Sequence, residues 1–263
     1  MKTAVTISLA QIPVERGEVE YNLTSHLNMI ALSSCNGADV VVFPELSLTG
    51  YELDLAEELA LAPEPENFQQ LSRAAVENKI IVIVGCPLKY ANTKKPAIGA
   101  VICFPDGRVS FYAKQYLHEG EQTYCSSGSS DYFFNINGHK AALAICADFV
   151  HKDHAKRAGE SGADIYIASA LISEGGYAPD SIILSEIAVE QRIPVLLSNH
   201  ISKTGGWETC GKSTIWNPQG ERIDRADIKE PGIVLCTLTG RDIEVKNVIQ
   251  PLVSETDKTW KCS

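Results

Sequence analysis

Positive charge is scarce in this 263-residue chain: 23 Lys and Arg stand against 33 Asp and Glu, a formal net charge of −10. That balance leaves no basic footprint for nucleic acid and no polybasic patch for a membrane surface. Long hydrophobic runs are also missing. No stretch approaches the ~18 apolar residues of a membrane span. The first segment, Met1–Gln11, is strand-like and lacks the apolar core of ~7–15 residues that a signal peptide carries. A cytoplasmic protein is expected, and the sequon Asn22-Leu23-Thr24 is then chance. No C-x-x-C pair occurs among the eight cysteines, which argues against a structural zinc site. A chain this long needs no disulfide framework, so most of the thiols read as small core hydrophobes. Absent too are a G-x-S-x-G elbow, a G-x-G-x-x-G fingerprint and H-E-x-x-H. His151 and His154 sit three apart without a third ligand and read as a solvated helix face. No metal or organic cofactor is expected.

What is present is a 44% hydrophobic composition, enough for a sizeable core, and an alternation of strand-like and helix-like segments with no linker or low-complexity region. Strands are predicted at Val5–Gln11, Asp39–Glu45, Ile80–Val84, Ile98–Phe104, Arg108–Tyr116, Tyr132–Ile136, Ala141–Cys146, Asp164–Ser169, Pro194–Asn199, Ser213–Trp216 and Gly232–Thr239. Helices are predicted at Tyr21–Ser34, Asn67–Lys79, His151–Gly162 and Asp180–Arg192 from apolar residues at helical spacing. Pro105-Asp106-Gly107 and Asn137-Gly138 mark hairpin turns. Hairpins mixed with βα units suit an α/β protein whose mixed sheets are covered by helices.

One motif misleads. Gly206-Trp207-Glu208-Thr209-Cys210-Gly211-Lys212-Ser213 fits the phosphate-loop pattern G-x-x-x-x-G-K-[ST]. That chemistry needs a helix after the loop, to offer its N–H groups to phosphate. Thr214-Ile215-Trp216 followed by Asn217-Pro218-Gln219-Gly220 is instead a strand and a proline turn, so the segment reads as a Gly-rich loop entering a strand.

The chemistry concentrates at three strand ends. Glu45 closes the run Asp39-Val40-Val41-Val42-Phe43-Pro44-Glu45, Lys114 follows Ser110-Phe111-Tyr112-Ala113, and Cys146 ends Ala141-Ala142-Leu143-Ala144-Ile145-Cys146. Singly, each has an ordinary explanation: a loop carboxylate, a surface lysine, a buried thiol. Together, a carboxylate, an amine and a thiol at strand mouths can converge into one site.

Val41-Val42-Phe43-Pro44-Glu45-Leu46-Ser47-Leu48-Thr49-Gly50-Tyr51 resembles the glutamate motif of the nitrilase superfamily, the carbon–nitrogen hydrolases. Tyr112-Ala113-Lys114-Gln115-Tyr116-Leu117 resembles its lysine motif, and Ala144-Ile145-Cys146-Ala147-Asp148 its cysteine motif, in the family's order. Gly120-Glu121-Gln122-Thr123-Tyr124 matches the segment of a second glutamate, and Asn217-Pro218-Gln219-Gly220 a late hairpin. The sequence departs from the family pattern at Ala147, where an aromatic residue is frequent, and at Val150, where an arginine commonly pairs with the aspartate. Asp148 must therefore find another partner. Cys125 and Ser127 depart likewise.

The resemblance implies a four-layer αββα sandwich with two mixed β-sheets over residues 1–253, followed by a polar tail, 254–263, that is loose or docks on a partner subunit. It implies a homodimer or higher homo-oligomer. It implies catalysis by Glu45 as base, Lys114 and the Ala147 backbone N–H as oxyanion donors, Cys146 as nucleophile and Glu121 in support. Tyr51, His118, Phe149 and Leu171 are the candidate substrate-binding residues, on the loops Tyr51–Leu55, His118–Tyr124, Phe149–His151 and Leu171–Tyr177. The expected reaction is hydrolysis of a small amide through a thioester, with no nucleic-acid or membrane partner. The alternatives are cleavage of an N-carbamoyl compound, nitrile hydrolysis, acyl transfer to an amine, and a non-catalytic binding protein.

Overall fold

A near-continuous apolar run along a strand requires two buried faces, and most strands of this chain have them. The computed structural model describes residues 2–226 and 229–249. In chain order the elements are β1 (Val5–Gln11), α1 (Val19–Cys35), β2 (Val40–Val42), α2 (Ala56–Leu59), α3 (Gln69–Asn78), β3 (Ile81–Leu88), β4 (Ala97–Cys103), β5 (Val109–Ala113), β6 (Tyr132–Ile136), β7 (His139–Ile145), α4 (Lys152–Glu160), β8 (Ile165–Ala170), α5 (Tyr177–Gln191), β9 (Val195–Asn199), β10 (Lys203–Thr204), β11 (Trp207–Glu208), β12 (Thr214–Trp216), β13 (Arg222–Arg225), β14 (Gly232–Thr239) and β15 (Asp242–Ile249).

Two mixed sheets form. One has the order β15-β14-β1-β2-β3-β4-β5 and the other β13-β12-β9-β8-β7-β6. In each, parallel βα crossovers make the centre (β1-β2-β3 and β7-β8-β9) and antiparallel hairpins the flanks. Val5, Ile7, Leu9, Val40, Val42, Ile81 and Ile83 of the first sheet pack against Leu143, Ile145, Ile165, Ile167 and Leu196 of the second. The alternate residues face outward. Val41, Val82 and Val84 meet α1 and α3, while Ala142, Ala144 and Ala168 meet α4 and α5. The layers are thus helix, sheet, sheet, helix: the expected αββα sandwich. Each fully buried Val, Leu or Ile contributes about 1.5–3 kcal/mol relative to exposure, so the sheet–sheet face is the main source of cohesion. Two buried serines stitch it further: Ser169 Oγ donates to the Phe43 carbonyl, and Ser198 Oγ to those of Ala10 and Val42.

Several boundaries shift. The strand predicted over Asp39–Glu45 pairs only through Val42, and that over Arg108–Tyr116 ends at Ala113. Glu45 and Lys114 therefore lie just beyond their strands. The helix predicted from Asp180 begins three residues earlier, at Tyr177. β13 and β15 were not predicted. β15 is an outer strand, mostly exposed, and its charged sequence Asp242-Ile243-Glu244-Val245-Lys246 carries little apolar signal. Cys35 is disulfide-bonded, against the expectation of free thiols, whereas Cys86, Cys103, Cys125, Cys146, Cys210 and Cys236 are free. Asn22 of the sequon is wholly buried, its amide bonded to Glu15 and Leu48 backbone. The tail 254–263 lies outside the described residues. Among the described residues no helix is long and apolar enough to cross a membrane.

Gly85 on β3 shows how tightly one strand end is packed. A Cβ there would stand 2.4 Å from the Leu46 nitrogen and 2.6 Å from the Pro44 oxygen, both backbone atoms flanking Glu45. Gly85→Ala is expected to destabilise the fold by about 1–3 kcal/mol through overpacking and to displace Glu45. Chemical denaturation checks the first effect; an unchanged midpoint would show that the loop yields without cost.

Candidate active site

Three chain segments leave neighbouring strand ends and turn towards one another. After β2, Phe43-Pro44 carries the chain out of the sheet, and Leu46 adopts φ +50° to complete the turn. His200 Nε2 donates to the Glu45 carbonyl at 2.6 Å. Burial holds that imidazole down to about 4, so it is neutral. After β5, the Lys114 N–H still bonds back to the Ile98 carbonyl, and Gly128 N–H caps the Lys114 carbonyl at 2.7 Å. After β7, Cys146 has φ +43°. A non-glycine residue held there carries strain, which persists where surrounding structure enforces it. Cys146-Ala147-Asp148 then form a single 3-10 turn.

The charged groups meet with no exposure to solvent. Lys114 Nζ donates to Glu45 Oε1 and to Glu121 Oε1, each at 2.7 Å. Lys114 and Glu45 are 0% exposed and Glu121 1%. Glu121 is itself fixed: Tyr51 OH donates to Oε1, and the His118 N–H to Oε2 at 2.7 Å. Burial raises Glu45 most, Lys114 lowers it and Glu121 raises it, leaving its carboxyl at about 7. For Lys114, burial opposes the charge, but Glu45, Cys146 and Glu121 together outweigh it and hold the amine above its ordinary value. An ammonium has three N–H donors, and the two carboxylates take two of them. Glu45 Oε2 is buried and makes no hydrogen bond of ordinary geometry, although the Cys146 thiol stands near enough to draw its carboxyl down.

Burial, reinforced by Glu45, pushes the Cys146 thiol well above its usual range, and Lys114 only partly opposes this. The surroundings therefore favour the protonated sulfur at rest. The thiol points to the Leu171 carbonyl at 3.7 Å. Among the free cysteines of the described residues, Cys146 alone is not fully buried.

Asp148 answers for the missing arginine. Its Oδ1 accepts from the Gln115 and Tyr116 N–H groups, both at 2.9 Å, and its Oδ2 from Tyr112 OH at 2.7 Å and Ile145 N–H at 3.0 Å. One buried carboxylate thus ties the residues flanking Cys146 to those flanking Lys114. His154 joins the same network through Tyr112 OH and Tyr166 OH. His151 instead stacks on Tyr116, so the two histidines do not share a site.

Above the thiol lies a cavity of about 410 Å³, lined by Glu45 and Cys146, by Ala147, Phe149 and Val150 after the turn, and by Tyr51, His118 and Leu171. Every candidate substrate-binding residue reaches its wall.

The Carbon-nitrogen hydrolase profile matches residues 6–245. The chain belongs to the carbon–nitrogen hydrolase family. Relatives include a nitrilase of Pyrococcus abyssi, 26% identical with 86% of each chain covered. A 2-oxoglutaramate amidase of Bacillus subtilis is 27% identical over 87% of this chain and 88% of its own. Among solved structures, a mutant of the amidase from Nesterenkonia sp. AN1 in complex with butyramide superposes with TM-score 0.81. It is 21% identical and covers 90% of this chain and 92% of its own. The layered fold described above is therefore that of the nitrilase superfamily, and the family places the chain among hydrolases of carbon–nitrogen bonds other than peptide bonds.

Sequence reasoning missed Asp180 and Trp207 on the cavity wall, whereas Ile172 belongs to the loop Leu171–Tyr177 it singled out. Trp207 belongs to the phosphate-loop look-alike. Its first residues complete the β10–β11 hairpin, which docks beside Tyr51 and Glu52 through Thr204 Oγ1 and the Gly205 N–H. No helix follows it; β12 does. No local signal in the sequence marks this long-range docking.

Asp148→Asn replaces an acceptor of four hydrogen bonds by a group that must donate with one end. Each buried partner left unsatisfied costs about 1–3 kcal/mol, so a loss of several kcal/mol is expected in urea titration. A midpoint like that of the parent protein would contradict this account of the carboxylate.

Proposed function

We propose that the protein is a cysteine-dependent amidase that releases ammonia or an amine from a small amide. The observation that carries this reading is the orphaned Glu45 Oε2. It is a buried acceptor on a carboxyl of pKa about 7, in the same cavity as a protonated thiol and beside a cationic Lys114.

A protonated thiol is a poor nucleophile, so its proton must leave as the bond forms. Glu45 takes it as Cys146 Sγ adds to the amide carbon. Negative charge moves to the carbonyl oxygen, where the uncommitted N–H of Lys114 and the Ala147 backbone N–H receive it. Ala147 lies in the first turn after β7, whose N–H groups have no intrahelical acceptor. Glu45 passes its proton to the nitrogen, the C–N bond breaks, and the amine leaves a thioester on Cys146. Water then adds to the thioester, losing its proton to Glu45. The C–S bond breaks, and the thiol and a carboxylic acid are regenerated. Glu121 and Tyr51 keep Lys114 in place throughout.

A base near neutrality suits both halves of this cycle. The sign of the pH effect follows. Glu45 must be ionised to begin, so kcat/KM should fall about tenfold per pH unit below about 7. A flat profile down to about pH 5 would remove Glu45 as the base. The same shift acts oppositely on stability. A carboxyl raised from 4.5 to about 7 binds more protons folded than unfolded in that interval. Its contribution is therefore full below 4.5 and lost as pH rises through about 7.

Cys146→Ala should abolish ammonia release from simple aliphatic amides, and Lys114→Ala should lower kcat by roughly 10²–10³-fold or more. Glu45→Gln should stall turnover, with intact mass showing whether a thioester accumulates. Full activity of Cys146→Ala would falsify the mechanism.

A further inference from the structure

The cavity that holds the thiol also holds a carboxylate that makes no hydrogen bond or ion pair among the described residues and feels only the more distant His118 ring. Asp180, on the first turns of α5, lines it together with Trp207 from the β10–β11 hairpin. Acidic residues near a helix start commonly serve the helix dipole or cap its N–H groups. Asp180 does neither by hydrogen bond. Its side chain has no hydrogen-bond or ion-pair partner among the described residues, although it is half-buried. A withdrawn, unpaired carboxylate is costly and is tolerated where a ligand completes it.

The remaining charges on that wall decide the sign of the ligand. Neither Lys nor Arg lines the cavity. Lys114 is sequestered between Glu45 and Glu121. Lys212, over the Tyr177 ring, is paired with Glu174. His118 is the one basic lining residue, and its Nδ1 lies 3.2 Å from the Glu119 carbonyl. A substrate carboxylate would therefore face Asp180 and Glu45 without a guanidinium or a free ammonium to receive it. A substrate cation would find Asp180, together with Trp207, whose indole is 48% exposed and whose ring face suits an ammonium.

We propose that this cavity selects amides bearing a protonated amine at the end remote from the scissile bond, with Asp180 as the residue that determines specificity and Trp207 as an aromatic wall for the cation. The proposal rests on the amidase reading and narrows its substrate class.

The test uses three amides of nearly equal length: pentanamide, the isosteric 4-aminobutanamide, and glutaric acid monoamide. Ammonia release should give 4-aminobutanamide a kcat/KM roughly 10- to 100-fold above pentanamide, as expected for a hydrogen-bonded charge pair, with glutaric acid monoamide the poorest. In Asp180→Asn the ratio of amine to neutral substrate should fall towards one, and in Asp180→Lys the preference should pass to glutaric acid monoamide. Trp207→Leu should reduce the amine preference without reversing it. Iodoacetamide labelling of Cys146 in each variant reports that the site is still assembled. A preference for the neutral or acidic amide in the parent protein, or an amine preference that survives Asp180→Asn, overturns the proposal.

Calorimetry on Cys146→Ala separates this failure from failure of the amidase reading, because it needs no turnover. Tighter binding of 4-aminobutanamide than of pentanamide, lost in the Cys146→Ala/Asp180→Asn double variant, supports the cation site even if the parent releases no ammonia. Equal binding, or none of either compound, rejects it.

Discussion

Everything at this site depends on a lysine that has no contact with water. Lys114 is held between Glu45 and Glu121 at 2.7 Å on either side. Removing such charges from water costs several kcal/mol per ion, and only close, well-oriented partners offset it. The arrangement carries one positive and two potentially negative groups, so it is overbalanced towards negative charge. Burial, with Glu121 adding to it, raises the Glu45 carboxyl to about 7 against the pull of Lys114, and burial reinforced by Glu45 opposes ionisation of Cys146. A neutral thiol beside a carboxyl poised near neutrality follows from this balance. A preformed thiolate does not.

Holding that geometry is the work of backbone more than of side-chain packing. Asp148 accepts three backbone N–H groups and one phenol. It therefore fixes the turn that carries Cys146 against the exit from β5 that carries Lys114. The two strands belong to different sheets, and the apolar face between the sheets brings them to a common edge. Cys146 at φ +43° and Leu46 at φ +50° show that both turns are sharper than their residue types prefer, and the packed sheets on which they stand supply the constraint.

The cavity obeys a different logic. Its floor is charged and buried, with one carboxylate oxygen and one ammonium N–H uncommitted, whereas its wall mixes apolar groups with a single acid lacking a hydrogen-bond partner among the described residues. The wall is drawn from the turn after β7, the start of α5 and the β10–β11 hairpin. The floor can thus stay the same while these three segments change what is admitted.

The apolar runs of β1, β3 and β7, and the turn chemistry of Asp106-Gly107 and Asn137-Gly138, were readable residue by residue because short apolar runs and tight turns are local matters. So were the three strand-end motifs, which carried Glu45, Lys114 and Cys146 together with the layered fold they imply. The sequence alone could not show that Asp148 replaces its arginine partner with backbone N–H groups from a segment more than thirty positions away. Nor could it show that a glycine-rich look-alike of a phosphate loop delivers Trp207 to the cavity. The protonation balance at the site was also out of reach, because it depends on burial and on distances of a few ångströms. Local pattern determines which elements form and which side chains alternate. Hydrogen bonds and charges between segments far apart in sequence are decided only when the two sheets close on each other.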